Sequence, residues 1–249
     1  FKKIMEAMDH LKKARILFGS SATVTKNNVD VVSSEEWIDM LLEKGIVAQM
    51  YFLYIPVNGQ GDINLMVTPE QRNHLRKQVL HFRGTKPMFI LDFWNDGPHV
   101  RGCIAGGKRY FHINANGDVE PCVYTHVAMH NIRNVPLAEA LNSPLFQAIR
   151  KRQPHNENHL RPCMIIDNPH IFRDIIEETK PYFTHQGAEE IVTQMREEID
   201  AYAARFAVLA DKVWREEYLN QSGATMSCAS SSVRQTSSDT EISMSMKPN

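Results

Sequence analysis

In the first third of the chain, segments with helical spacing of apolar residues alternate with short apolar segments typical of buried strands. Helices are predicted at 1–14, 34–45 and 68–83, and strands at 16–24, 46–57 and 87–94. Such alternation predicts βα units whose strands lie parallel in one sheet, an α/β fold. Three strands cannot close a barrel, and Phe1 opens inside a helical pattern, so we expect further sequence upstream of Phe1.

Polar or backbone-permissive residues lie at or just beyond the carboxyl end of each predicted strand, where parallel α/β folds place their sites. These are Ser20, Ser21, Thr23 and Asn28, then Pro56, Asn58 and Gly59, then Asp92, Asn95 and Asp96. Loop residues are often polar without a function, and an Asn-Asp-Gly sequence is typical of a turn. We interpret Asn95 as a turn residue and leave Asp92 and Asp96 open as site residues.

The pattern changes after residue 96. Asn116-Gly117 lies between strands predicted at 110–114 and 118–124, which indicates a β-hairpin. Short helices are predicted at 137–141, 144–152 and 169–179, with a polar loop at 154–162. The segment 187–219 is predicted to be one long helix, and the Ser-rich segment after it to be disordered.

Composition excludes several classes of function. The net charge is −1, which gives no field for attracting nucleic acid or an anionic membrane. No apolar run is long enough to span a membrane and no signal peptide is present, so a cytoplasmic location is expected. Spaced cysteines in a cytosolic protein indicate metal binding or catalysis more often than disulfides.

Three of the four cysteines lie where the backbone is specialised. Cys103 is surrounded by small residues in Gly102–Gly107, Cys122 follows Pro121 on the second strand of the predicted hairpin, and Cys163 follows Pro162. Thiolates hold iron–sulfur clusters, so we predict that these three cysteines converge on one metal-sized point. Cys228 lies in the Ser-rich tail and is predicted not to be a ligand.

A fourth ligand is open. His126 lies four residues after Cys122, and Asp167 lies four residues after Cys163. A lone histidine is more often structural, and Asp167 fits better as a helix-capping acid. The fourth position could also be filled by a residue from upstream sequence, by a substrate or by nothing. The alternative interpretation is a zinc or cluster site that only shapes the fold, and three cysteines with His126 would make such a zinc site.

The cysteine-bearing segment resembles the SPASM or twitch extension of radical S-adenosylmethionine (SAM) enzymes. The resemblance rests on Gly-Cys-Ile-Ala-Gly at 102–106, Gly-Asp-Val-Glu-Pro-Cys at 117–122, His-Asn-Ile at 130–132 and Ser-Pro-Leu-Phe at 143–146. It implies an auxiliary iron–sulfur cluster, expected to be of the 4Fe–4S type. Only three cysteines match the family pattern, so at most one cluster is expected in the module.

The resemblance extends to the front of the chain. Residues 18–28 look like the fifth strand of the family's barrel and 48–57 like the sixth, which implies that Ser21 and Asn28 contact SAM. The implied organisation is the C-terminal part of a partial TIM-like βα barrel (1–96), a small α+β SPASM/twitch-like cluster module (97–186), a long helix (187–220) and a disordered tail (221–249).

The family's Cys-X3-Cys-X2-Cys loop, which holds the SAM-cleaving cluster, is absent from this sequence. The resemblance therefore implies an enzyme whose complete form cleaves SAM reductively with a second 4Fe–4S cluster, while this part alone is inactive. It implies an unknown substrate (peptide, protein or small molecule) and a reductase or ferredoxin as electron donor.

Overall fold

Three parallel strands form the main sheet. The computed structural model describes residues 1–56 and 61–220. Strands β1 (Gly19–Val24), β2 (Ala48–Leu53) and β3 (Phe89–Asp92) lie in that order, with every pair parallel. The predicted parallel arrangement is confirmed, although each strand is shorter than its apolar run.

Four helices accompany this sheet. They are α1 (Lys2–Lys13), α2 (Val29–Val32), α3 (Glu35–Glu43) and α4 (Pro69–Thr85), and a 3₁₀ turn spans Ile63–Leu65. Helix α4 begins with a capping box, in which the Thr68 hydroxyl and the Gln71 amide each accept a backbone N–H of the other residue. Helix α2 was not predicted from the sequence.

The two faces of β2 have different surroundings. Gln49, Tyr51 and Leu53 are buried, whereas Ala48, Met50 and Phe52 are only half-buried. The strand predicted to be buried is therefore fully buried on one face only. Met50 pairs in register with Ser21 on one side and Leu91 on the other, so these three side chains share the half-buried face.

The second part of the chain consists of short elements. They are α5 (Gly97–Val100), β4 (His112–Ile113), β5 (Val119–Glu120), β6 (Val127–Ala128), α6 (Leu137–Leu141), α7 (Pro144–Lys151), α8 (Pro169–Thr179) and β7 (Tyr182–Phe183). Strands β4 and β5 form the predicted antiparallel hairpin, with Gly117 at φ 89° in its turn. The antiparallel pair of β6 and β7 and helix α5 were not predicted.

The C-terminal segment is not one helix. A 3₁₀ helix spans Ala188–Val192, and α9 (Arg196–Val213) starts after a break at Thr193, whose φ and ψ are −115° and −91°. One turn of π-helix, Trp214–Leu219, continues α9. The prediction of a continuous helix from residue 187 is wrong at its start, and the predicted disordered tail lies outside the described residues.

Within the described ranges, no helix combines the length and apolar character needed to cross a membrane.

Candidate iron–sulfur site

The three predicted cysteine ligands line one cavity. Cys103, Cys122 and Cys163 all contribute to the wall of a pocket of about 240 Å³. The rest of the wall is mainly apolar and includes Met50 and Leu91 from the half-buried face of the sheet. The cavity therefore lies between the parallel sheet and the cysteine-bearing segment.

Cys103 lies in a loop that tight backbone turns shape. Arg101 and Gly102 before it adopt positive φ angles of 60° and 90°. The Cys103 sulfur accepts the backbone N–H of Ala105 at 3.4 Å. Gly106, at φ 68°, then donates its N–H to the Pro121 carbonyl at 2.9 Å, which ties the Cys103 loop to the residue before Cys122.

Cys122 lies in a turn that follows β5, rather than on the hairpin strand itself. The Thr125 hydroxyl closes this turn, because it donates to the Cys122 carbonyl at 2.8 Å and accepts the Cys122 N–H at 3.3 Å. The next N–H, of Val123, donates to the Tyr110 hydroxyl at 3.1 Å. Both backbone groups of Cys122 are thus fixed close to the cavity.

Cys163 lies in the turn that leads into α8. Its sulfur accepts the N–H of Ile165 at 3.3 Å, and its carbonyl accepts the N–H groups of Asp167 and Asn168. Its own N–H donates to the Asp167 carboxylate at 3.0 Å. Backbone N–H donors directed at a cysteine sulfur are among the contacts by which proteins tune iron–sulfur clusters.

All three thiols have raised pKa values. Burial is the main cause in each case, and it raises the pKa of Cys163 to about 12. The pKa values of Cys103 and Cys122 are raised for the same reason, and the neighbouring cysteines add to the effect at Cys122. The thiols are therefore protonated in the metal-free protein, and metal binding to them must release protons.

Asp167 does not face the cavity as a free ligand, nor does it cap α8. Its carboxylate is fully buried and forms a two-point ion pair with Arg72 of α4, with N–O distances of 2.6 and 3.2 Å. The same carboxylate accepts the N–H of Cys163. Asp167 thus holds the Cys163 turn.

His126 lies apart from the cavity wall formed by the described residues. Its ring contacts that of His185, with the centroids 4.2 Å apart, and its Nδ1 lies 4.0 Å from the buried carboxylate of Glu120. His112, the cross-strand partner of Glu120, lies on the other oxygen at 3.8 Å. The structure therefore brings three of the four predicted ligands together and places His126 in a separate histidine–glutamate cluster.

A single-ion site is not preformed. No group of three or more His, Cys, Asp or Glu side chains that could hold a metal ion occurs in residues 1–56 and 61–220. The cysteines share a cavity without closing around one point, which departs from the expectation of a metal-sized meeting point. Cys228 lies outside the described residues.

The polar residues after β3 have structural partners. Asp92 is buried and accepts the Asn95 side-chain amide at 2.7 Å, and burial, opposed by this hydrogen bond, raises its pKa to about 6. Asp96 pairs with Arg83 at 2.7 Å and also borders the cavity. Asn95 accepts a hydrogen bond from Arg72 at 3.1 Å, so it is more than a turn residue.

The two candidate SAM contacts differ in their surroundings. The Asn28 side chain bonds its own loop, because it donates to the Thr23 carbonyl at 2.9 Å and accepts the Thr25 N–H at 2.7 Å. Ser21 is exposed on the sheet face that also carries Met50 and Leu91. Asn58 and Gly59 lie outside the described residues.

Sequence reasoning missed Arg72. This arginine is fully buried, on the face of α4 that also buries Leu75 and Val79. A charged residue at an apolar position of an amphipathic helix is the signal that could have identified it.

The cysteine-bearing segment matches the model of a known protein family. Residues 103–165 match the SPASM family, described as an iron–sulfur cluster-binding domain. The match begins at Cys103 and includes Cys122 and Cys163.

Two curated relatives are AdoMet-dependent heme synthases. The one from Nitratidesulfovibrio vulgaris is 23% identical over 189 residues, which are 66% of this chain and 50% of that protein. The one from Methanosarcina barkeri is 24% identical over 175 residues, which are 60% of this chain and 49% of that protein. The chain spans about half the length of the curated relatives it matches.

Two solved structures also align with the chain. The first is a histidine-tagged anSMEcpe with bound AdoMet, with a TM-score of 0.46 and 12% identity; the match covers 82% of this chain and 62% of that chain. The second is native anSMEcpe with bound AdoMet, with a TM-score of 0.46 and 16% identity; the match covers 85% of this chain and 61% of that chain.

The resemblance to radical SAM enzymes with a SPASM-type module is thus confirmed: residues 103–165 match the SPASM family, and the curated relatives are AdoMet-dependent enzymes.

Proposed function

We propose that Cys103, Cys122 and Cys163 hold one auxiliary iron–sulfur cluster of the 4Fe–4S type. The observation that carries this proposal is that three cysteines from separate loops line the same cavity. Secondary structure alone gives no reason for residues so distant in sequence to meet.

The cavity suits a cluster by its chemistry. It offers sulfur donors, backbone N–H groups directed at two of the sulfurs, and a mainly apolar wall. A bound cluster supplies one-electron redox chemistry or an iron site that polarises a ligand. The chain's own part is to fix the three thiols, exclude water and give up their protons on binding.

The rest of the chain is proposed to belong to a radical SAM enzyme. Residues 1–96 are the C-terminal part of its partial barrel, 97–186 its cluster module, 187–220 its C-terminal helical segment and 221–249 its tail. The complete protein cleaves SAM for radical chemistry on a peptide, protein or small molecule, and Ser21 and Asn28 contact SAM. A reductase or ferredoxin supplies electrons, and the cytoplasm keeps the thiols reduced.

Anaerobic reconstitution with iron and sulfide tests the cluster proposal. We expect a brown protein that contains both iron and sulfide, and we expect Cys103→Ala, Cys122→Ala and Cys163→Ala each to lose most of both. Cys228→Ala is the matched control and should retain them, as should His126→Ala. A colourless protein that binds one zinc ion through the same cysteines would favour the structural zinc site instead.

A further inference from the structure

A fully buried ion pair connects α4 to the Cys163 turn. The Arg72 and Asp167 side chains are both 0% exposed, and the two residues are 95 positions apart in the chain. Arg72 uses its remaining donors on Asn95 and on the Leu160 carbonyl, so its guanidinium is held on several sides.

The Asp167 carboxylate joins this arginine to a proposed cluster ligand. One carboxylate oxygen accepts both an Arg72 N–H, at 3.2 Å, and the Cys163 N–H, at 3.0 Å. The Asp167 N–H in turn donates to the Cys163 carbonyl at 3.2 Å. Cys163 cannot move relative to α4 without breaking bonds to a buried charge.

Helix α9 covers the ion pair from the other side. The Arg72 guanidinium carbon lies 3.8 Å from the centre of the Phe206 ring, and Phe206 is itself buried. Removing two charges from water is costly, and an apolar pair of similar volume often stabilises a fold as well or better. The stability of the fold alone therefore gives little reason for a charged pair at this position.

We propose that Arg72 and Asp167 are positioning residues of the cluster site: they fix the Cys163 turn, and the Asp167 carboxylate helps to set the reduction potential of the bound cluster. This inference rests on the proposed function.

The two roles can be separated by substitution. Asp167→Asn retains an oxygen that can accept the Cys163 N–H but removes the negative charge. Because reduction adds an electron, loss of a nearby negative charge should shift the potential upward. The double variant Arg72→Met/Asp167→Leu removes both charges and the acceptor while filling the same space, so it should fold but bind the cluster weakly.

Arg76→Gln is the matched control. Arg76 lies one turn along α4 and is also nearly buried. It pairs at 2.8 Å with Glu217, which lies in the π-helical turn after α9 rather than in the cysteine turn. Its loss removes an ion pair of α4 that is partly exposed on the Glu217 side, without touching Cys163.

For the test, the full chain is reconstituted anaerobically. Three properties are then measured: the iron and sulfide content, the reduction potential in a redox titration, and thermal unfolding by circular dichroism. We expect Asp167→Asn to retain iron and to shift the reduction potential of the cluster upward. The double variant should remain folded but lose most of its iron. Arg76→Gln should match the unaltered chain in iron content and reduction potential. Unchanged iron content and potential in both Asp167 variants would overturn the inference and leave the cluster proposal intact. Absence of a cluster in the unaltered chain would instead contradict the proposed function itself.

Discussion

His126 has a left-handed backbone conformation, with φ 48°, and is packed among titratable groups. Glu120, His112 and His185 face it from β5, β4 and the segment after β7. Burial, followed by the nearby histidines, lowers the pKa of His126 to about 4. The His126 imidazole is therefore neutral near pH 7, close to the turn that carries Cys122.

This lowered pKa predicts a pH-dependent stability. As pH falls from about 6.5 towards 4, the unfolded chain binds a proton at residue 126 that the folded chain does not bind. The free energy of unfolding should therefore decrease over this window, by up to roughly 3 kcal/mol. His126→Asn, which tolerates the left-handed backbone, should flatten the dependence measured by denaturant unfolding at several pH values.

The exposed His10→Asn variant on α1 is the control and should retain the pH dependence of the unaltered chain. An equally steep dependence in His126→Asn would contradict the prediction.

The sequence identified the cysteines, but not the roles of their neighbours. Glycines and prolines beside Cys103, Cys122 and Cys163 mark specialised backbone, which is a local signal. The role of Asp167 depends on Arg72, 95 residues away, and that of His126 on His185. Such roles are set by tertiary contacts that no local pattern contains.

At the scale of elements, the loop carrying Cys103 packs directly on α7. A methyl group added at Gly106 would lie 2.4 Å from a side-chain carbon of the fully buried Ile149, and the backbone there is left-handed, at φ 68°. Gly84, near the end of α4, has no neighbour within 4 Å of such a methyl group. The two glycines therefore form a matched pair.

We predict opposite effects of alanine at these positions. Gly106→Ala should lower the free energy of unfolding by about 1–3 kcal/mol or more, because overpacking adds to backbone strain. Gly84→Ala should raise it by about 0.5–1 kcal/mol, because alanine loses less backbone entropy in a helix. Urea unfolding of both variants measures the difference, and a neutral Gly106→Ala would refute the tight packing of this loop on α7.

Long elements with clear periodicity were predictable, and short or interrupted ones were not. The capping box at Thr68 is indicated by the residue types at 68 and 71. The three parallel strands are indicated by the alternation of helical and strand segments along the chain. Strands β6 and β7 have two residues each and pair across more than fifty positions, so no local signal marks them. The break before α9 occurs at Thr193, whose hydroxyl bonds the Glu189 carbonyl, although the apolar stripe continues through it.

At the scale of the whole molecule, one hydrophobic core joins the sheet to the cysteine-bearing segment. Val24 and Ile90 from the sheet belong to the same buried cluster as Val127, Ile149 and Ile175. The proposed boundary between residues 96 and 97 thus crosses a shared core. The buried pair of Arg72 and Asp167 crosses the same boundary.

A shared core predicts that the two parts unfold together. Two separate transitions would require that residues 1–96 keep their core when residues 97–186 unfold. Unfolding of residues 97–186, however, would expose apolar surface of the sheet and leave Arg72 without its partner Asp167. We therefore expect one calorimetric transition, with the calorimetric enthalpy close to the van't Hoff enthalpy. The cluster-loaded chain should melt at a higher temperature than the metal-free chain, because a ligand bound only by the folded state stabilises it. Two resolved transitions, with only one of them shifted by iron and sulfide, would show instead that the two parts are energetically independent.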